Sequence, residues 1–489
     1  MTDAAKLAPL AFYGGPWMSF LPFAIFVAAI VVTTFVWGSI SDGALWLPAF
    51  LALVVPFFLA RDKRAYTEAL IGGMASREAI APVVCWLFAG VFSALLRASG
   101  LAGAIAGLAA GAGVGATPFL LVAFAASALF ATASGTGFGT IAAGMGVIYP
   151  AGVALGCDPA LLAGAIISGA VLGDNLAPVS DTTICSALSQ GVDVPGVVRS
   201  RLKYAAVAAA ITCVAFVILG THLNGAPAQG AAAQGFDGLA LLMLVPVLLT
   251  VAAAVRTGDI VVATTVGIVC GAVVGVACGQ FEVFSTAPGA NALVTLTGEG
   301  LDRAVGGILY NGLSGMVQAC VLALLLFGST AVMRAGGGDE RLLQALGKVA
   351  RTPRSTEFVI SAMVVALSCI MGLNAPAILA VGASFAKPLA QAQGISPYRT
   401  ANLLDAMSNT LVYALPWTPA VVFTMGFAVE TSAPLSALQI TPFVVYGYAL
   451  LVVMVASILL GVGLHDGEKT VAAGESPCTS GEKAPQACK

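Results

Sequence analysis

Apolar residues in this chain come in long unbroken runs, not in alternation with polar ones. Runs at 19–37, 204–220, 238–255 and 441–464 are examples. Crossing a hydrocarbon core as a helix takes roughly 20 apolar residues, and these runs are about that long. In lipid every backbone N–H and C=O must be satisfied internally, so a span is a helix or part of a closed barrel. A barrel strand alternates apolar and polar positions over short segments, which these runs do not. The pattern predicts an all-α polytopic membrane protein.

Composition agrees. Hydrophobic residues make up 59% of the 489 and charged residues 9%, against about 25% charged in soluble proteins. The formal net charge is −2, and no basic cluster is interleaved with aromatics, so no nucleic-acid partner is expected. The partners expected are the bilayer and a small cation or small organic solute. The 10 cysteines are scattered without a CxxC pair and read as small packing residues. The two histidines, His222 and His465, fall outside the predicted spans. A zinc site and a histidine proton relay are therefore not expected, and neither is a cofactor. With no intramembrane nucleophile–base pair, the chain does not read as an enzyme. The first apolar run is long and lacks a small-residue cleavage site, unlike a removed signal.

Positive charge marks cytoplasmic loops. Three clusters stand out: Arg61, Lys63, Arg64 and Arg77; Arg199, Arg201 and Lys203; and Arg334, Arg341, Lys348, Arg351 and Arg354. Segments 221–237 and 429–440 hold no Lys or Arg and face outward. Counting spans between these marks places both termini in the cytoplasm of a bacterial inner membrane. The runs 19–37 and 238–255 then cross in opposite senses, as do 204–220 and 441–464. The octet Ser93–Gly100 resembles Thr330–Gly337. These features predict two inverted-topology repeats, the usual build of secondary transporters. The expected division is a cytoplasmic N-terminus 1–18, a first repeat 19–220, an external linker 221–237, a second repeat 238–464 and a disordered cytoplasmic tail 465–489. A short cytoplasmic helix is expected over 337–352, with Leu342, Leu343 and Leu346 on one face. Nothing in the chain defines an oligomer, though such folds commonly pair as homodimers.

Between Ala98 and Val198 there is no Lys or Arg, yet four acids: Asp158, Asp174, Asp181 and Asp193. Asp158 and Asp193 sit beside proline or turn-like sequence and read as loop residues. Asp174 and Asp181 lie within apolar flanks. A carboxylate at membrane depth costs at least about 2.5 kcal/mol, so two without a fixed base require protons or bound cations. Gly173 and Pro178 are expected to interrupt the helix and free backbone carbonyls there. Asn175, Ser180, Thr182 and Thr183 add oxygen ligands suited to a hard cation such as Na+ at Asp174 and Asp181.

The second half offers a counterpart in Asp405, Ser408, Asn409 and Thr410, followed by the breaker Pro416-Trp417-Thr418-Pro419. Arg399 and Lys387 are nearby bases, either of which could partner Asp405 or meet an anionic substrate. Each acid-bearing segment is preceded by a break: Ser134–Thr140 in the first half and Met371–Pro376 in the second. The GxGxG of the first is no dinucleotide fingerprint, because no βαβ context surrounds it; it reads as an unwound turn at mid-membrane. Thr136, Gly137, Thr140, Asn374 and Arg399 are the candidate substrate-binding residues.

Gly173-Asp174-Asn175-Leu176-Ala177-Pro178-Val179-Ser180-Asp181-Thr182-Thr183 resembles the GD…SP.SDTT signature of the NhaC-type branch of the ion transporter superfamily. Thr136–Thr140 is similar to that family's TSWGT element, and Arg399 through Asp405 to Trp417 to its second-half motif. The resemblance implies Na+/H+ antiport, or sodium-coupled movement of a small organic acid or amino acid, by alternating access. Phe138 stands where the family often has Trp, and Asn175 and Ala177 where antiporter members often have Lys and Ser. Those departures keep the organic-solute reading open. Ser408-Asn409-Thr410 also resembles the SNT elements of sodium-coupled dicarboxylate carriers.

Overall fold

A computed structural model of the chain describes residues 10–32, 43–178, 180–225, 238–257, 259–287, 289–298, 302–338, 341, 344, 345, 350–429 and 433–464. The expected tail 465–489, most of the linker 221–237, and Leu342, Leu343 and Leu346 of the expected cytoplasmic helix lie outside these residues.

The first half comprises α1 (Leu21–Val31), α2 (Gly43–Leu59), α3 (Lys63–Met74), α4 (Arg77–Ala98), α5 (Leu101–Gly111), α6 (Ala116–Ser134), α7 (Gly137–Ala154), α8 (Pro159–Leu176), α9 (Asp181–Gln190) and α10 (Val194–Leu223). The second comprises α11 (Leu244–Thr257), α12 (Ile260–Ala277), strands β1 (Glu282–Ser285), β2 (Ala292–Thr297) and β3 (Ala304–Gly306), α13 (Ile308–Ala335), α14 (Pro353–Met371), α15 (Asn374–Val381), α16 (Lys387–Ala392), α17 (Pro397–Ser408), α18 (Pro419–Val429), α19 (Ala437–Ile440) and α20 (Val445–Leu460). Among the described residues, 7 helices are long and apolar enough to cross a membrane, or 8 if the pair Ala437–Phe443 and Val445–Leu460, bent by 46°, counts as one span. The chain is a multi-pass membrane protein.

Two expectations change here. The fold is not purely α, because 282–306 forms a small sheet in the order β1-β2-β3. β2 pairs in parallel with β1 and antiparallel with β3. The stretch is too short and polar to span, and Val294, Thr295 and Thr297 supply β-branched residues that favour strands. Asn291 Nδ2 ties the sheet to the end of α4 by donating to Ala98 O at 3.0 Å. His222, expected outside the spans, lies in the last turn of α10, which outlasts the apolar run.

Small residues let the helices approach closely. A methyl group on Gly169 or Gly173 of α8 would overlap Phe124 O or Ala128 O on α6. Gly173 therefore does not interrupt α8, contrary to the sequence expectation. The helix runs through it to Leu176, and the glycine serves packing. Gly90 of α4 meets Gly312 of α13, while Gly73 of α3 meets Phe327 and Ala331 further along α13. The two contacts order α13 against α3 and α4 in the antiparallel sense.

Candidate functional site

The two acids of the base-free window lie on either side of a helix break. α8 ends at Leu176, and Ala177 turns to extended backbone (φ −68°, ψ 124°). Ser180 is extended too (φ −66°, ψ 140°), and α9 starts at Asp181. A proline at 178 withholds an N–H and disfavours helix at the residue before it, which accounts for the break. Asp174 sits in the last turn of α8, and Asp181 at the first position of α9.

Asp174 is 3% exposed. Ser180 Oγ donates to its Oδ1 at 2.9 Å, and Tyr413 OH to its Oδ2 at 3.1 Å. Ser180 Oγ also shares a 2.9 Å hydrogen bond with Thr182 Oγ1. Asp181 is exposed to a cavity of about 1190 Å³. That cavity reaches from Asp174, Asp181, Thr182 and Tyr413 past Thr136, Gly137 and Asn374 to Arg77, Arg256 and Asp259. Among the described residues, no Lys or Arg forms an ion pair with Asp174 or Asp181. A negative, water-reachable pocket lined with hydroxyls and amides can hold a cation or a proton.

The expected breaks shape its walls. Gly135 ends α6 in the left-handed region (φ 68°), and Gly372 ends α14 the same way (φ 69°). Glycine adopts this conformation without the steric cost a Cβ brings. Thr136 then caps α7, its Oγ1 accepting from Gly139 N at 3.3 Å. Gly137 is held to glycine by Tyr413, since a Cβ there would lie 2.5 Å from the phenol oxygen. Thr140 is buried and donates to Thr136 O at 2.8 Å, so it supports the turn rather than the cavity.

The second-half residues are arranged differently. Asp405 is fully buried and forms an ion pair of 2.5 Å with Arg201 Nη2, both side chains 0% exposed. Asn409 Nδ2 donates to Asp405 Oδ1 at 2.7 Å, and Asn374 Nδ2 to Asn409 Oδ1 at 2.6 Å. Two amides thus link the acid to the cavity wall, and the Thr182 and Thr183 side chains of α9 also reach it. Ser408 and Thr410 are buried and donate to backbone carbonyls of Asp405 and Met407.

The partner of Asp405 is therefore neither Arg399 nor Lys387. Arg399 is spent on a buried pair with Glu357 (Nε to Oε1, 2.5 Å) and on Ser457 Oγ at 2.9 Å, behind the cavity. Lys387 Nζ lies near Gly191. Arg201, counted in the sequence among loop charges, is the residue that was missed. It lies two turns into α10, where Nη1 donates to Asn175 O and to Thr183 Oγ1 at 3.2 Å. Buried Thr183 thus faces Arg201. The Asn175 side chain is buried, with neither amide atom hydrogen-bonded among the described residues. Glu357 and Tyr413 were missed as well. An acid four residues into a helix after cytoplasmic arginines looks like a surface charge, and a lone tyrosine carries no spacing signal.

At the end of α10, Asp193 caps the helix through Gly196 N at 2.7 Å and accepts from Tyr398 OH. The Tyr398 hydroxyl holds the Asp193 carboxyl below the usual carboxylate range.

Residues 2–221 match the model of the Na+/H+ antiporter family. The Na+/H+ antiporter NhaC of Alkalihalophilus pseudofirmus is 27% identical over 335 residues, 65% of this chain and 71% of that protein. The malate-2H+/Na+-lactate antiporter of Bacillus subtilis is 36% identical over 107 residues, 22% of this chain and 23% of that protein, so the chain spans about a quarter of that relative's length. The YdaH transporter of Alcanivorax borkumensis is structurally similar at a TM-score of 0.37 and 15% identity, over 82% of this chain and 90% of that one. The matched residues 2–221 carry Asp174, Asp181 and Arg201, so this part of the chain is similar to the Na+/H+ antiporter family.

Proposed function

We propose that this protein is a cation-coupled secondary transporter of NhaC type that exchanges Na+ for H+ by alternating access. The observation that carries this reading is the α8–α9 break. It sets one buried carboxylate, held by two hydroxyls, beside a second carboxylate open to a large cavity. Na+ and H+ compete for Asp174 and Asp181, with Ser180, Thr182 and Tyr413 as neutral oxygen ligands. Both carboxylates need a positive charge at membrane depth, so the site empties one ion only as it takes another.

Arg77 and Arg256 stand at the cavity mouth. Under the positive-inside rule this state opens to the cytoplasm, with both termini on that side. Beyond the site an aromatic column closes the opposite path. Tyr413 stacks toward Phe138 at 6.1 Å, Phe138 toward Trp86 at 6.4 Å, Trp86 on Phe423 at 4.9 Å and Phe423 on Phe427 at 4.8 Å. An inverted repeat is supported by the antiparallel contact of α13 with α3 and α4. In the register that aligns Ser93 with Thr330, Gly90 aligns with Phe327. Gly90 packs on Gly312 and, near the mirrored position, Gly73 packs on Phe327.

The test uses purified protein in liposomes holding a pH-sensitive dye. Addition of Na+ alone is expected to move protons. Silence under Na+ alone would sink the exchange reading. The cavity volume favours one alternative. About 1190 Å³ exceeds the space a single Na+ needs and is large enough for a small organic ligand, whose pockets run from about 300 to 1,000 Å³. Uptake of one labelled carboxylate or amino acid only under a Na+ gradient, with no dye response to Na+ alone, would establish that alternative.

A further inference from the structure

Among the described residues Arg201 is the one base buried among these acids, and the exchange reading gives it no part. Its side chain is fully buried. It pairs with Asp405 of α17, donates to Asn175 O at the C-terminal end of α8, and donates to Thr183 on α9. Asn402 backs the pair: its Oδ1 lies 3.5 Å from Arg201 Nε, and its Nδ2 donates to Ser200 Oγ at 2.6 Å. The guanidinium therefore sits at the negative end of the α8 helix dipole and against a carboxylate. A buried ion in so many contacts does not leave; removing either partner strands the other charge in an apolar interior.

Charge balance then separates the three acids. Among the described residues, the ionisable groups facing the pair are Asp174 from α8, Asp181 and Cys185 from α9, Tyr413 beside Asp174, and Tyr446 of α20. Among the described residues, Asp405 is the one of these three acids with a fixed cation. Asp174 and Asp181 pair with no base there and line the cavity.

We infer that Arg201 is a built-in counter-cation that holds Asp405 in a fixed buried pair outside the exchange, so that Asp174 and Asp181 alone set how many protons Na+ displaces. Arg201 is a positioning residue, holding the α8 end and Asp405 in register, and Asp405 is not a ligand of the transported ion. This rests on the exchange reading above.

The test compares wild type, Arg201→Gln, Asp405→Asn and the double variant. Each protein, purified in detergent, receives a step of Na+ in weakly buffered alkaline solution with a pH dye, and each is melted in parallel. Each single variant is expected to melt lower and to lose proton release at least about tenfold, because one buried charge is left alone. The double variant is expected to regain both, coming within about threefold of wild type. It should also release the same number of protons per protein as wild type. A double variant no better than the worse single would overturn the inference. So would a folded double variant releasing about one proton fewer than wild type, since Asp405 would then itself exchange protons. If wild type releases no protons on Na+ addition, the exchange reading fails, and the pairing is judged by melting alone: recovery in the double variant supports it, and no recovery overturns it.

Discussion

The two acid-bearing helices α8 and α17 solve the same electrostatic problem in opposite ways. Asp174 and Asp181, around the end of α8, keep their charge unmet by any described base and open onto a cavity. Asp405, inside α17, is sealed from water and matched to Arg201. Under the proposed function, the contrast separates transport chemistry from scaffolding. A site whose charge is met by a permanent protein cation has no need of an exchangeable ion. A site whose charge is unmet must take one from solution, and can release it.

Substitution can break this contrast, and the largest effect belongs to the unmet acids. Asp181→Asn and Asp174→Asn should leave a folded protein with Na+ exchange reduced on the order of 100-fold or more, as loss of an interaction with a charged ligand removes up to about 3 kcal/mol. Liposome dye assays check this, and near-normal exchange in either variant would dissolve the distinction. Asp405→Asn should act first on stability instead, costing about 3–5 kcal/mol by leaving Arg201 unpaired, read as a lowered melting temperature in detergent. A stable Asp405→Asn protein would show that Arg201 tolerates isolation.

Smaller effects sharpen the picture. Gly137→Ala should push Tyr413 from Asp174, since the new methyl would lie 2.5 Å from the phenol oxygen. Tyr413→Phe removes the same hydrogen bond more gently and should weaken Na+ by about tenfold, the worth of roughly 1.4 kcal/mol. If Gly137→Ala weakens Na+ and Tyr413→Phe does not, the methyl acts on the cavity shape instead.

The smallest effect lies outside the membrane. The lowered Asp193 carboxyl stabilises the fold at pH values above its unfolded range, and that contribution is lost as pH falls through its lowered value. Asp193 is exposed, so solvent screening keeps the effect slight. Tyr398→Phe should lower the melting temperature slightly near neutrality and flatten its fall on the acid side, leaving the acid extreme unchanged.

Much of the site was legible in the sequence because its signals are local. A base-free window with two acids, a proline after the first and hydroxyls around the second marks the α8–α9 break within about ten residues. Gly135 and Gly372 were readable too, since a glycine ahead of a capping residue announces a helix end. Arg201 was hidden by its neighbours. Arg199 and Lys203 make a loop cluster by counting, and only the docking of α10 on α17 turns the middle residue inward. Arg399 misled for the matching reason, because its partner Glu357 is 42 residues away in sequence. Ion pairs across elements leave no mark on local pattern. The sheet at 282–306 was missed because a polar stretch between spans reads as loop until strands pair.

The most direct measurement is 22Na+ binding to the purified protein across pH, for wild type and Asp181→Asn. The account predicts that wild type binds Na+ at alkaline pH and loses it as protons compete at lower pH, while Asp181→Asn binds little at any pH. Binding that ignores pH, or that persists in Asp181→Asn, would contradict a shared Na+ and H+ site at these two carboxylates.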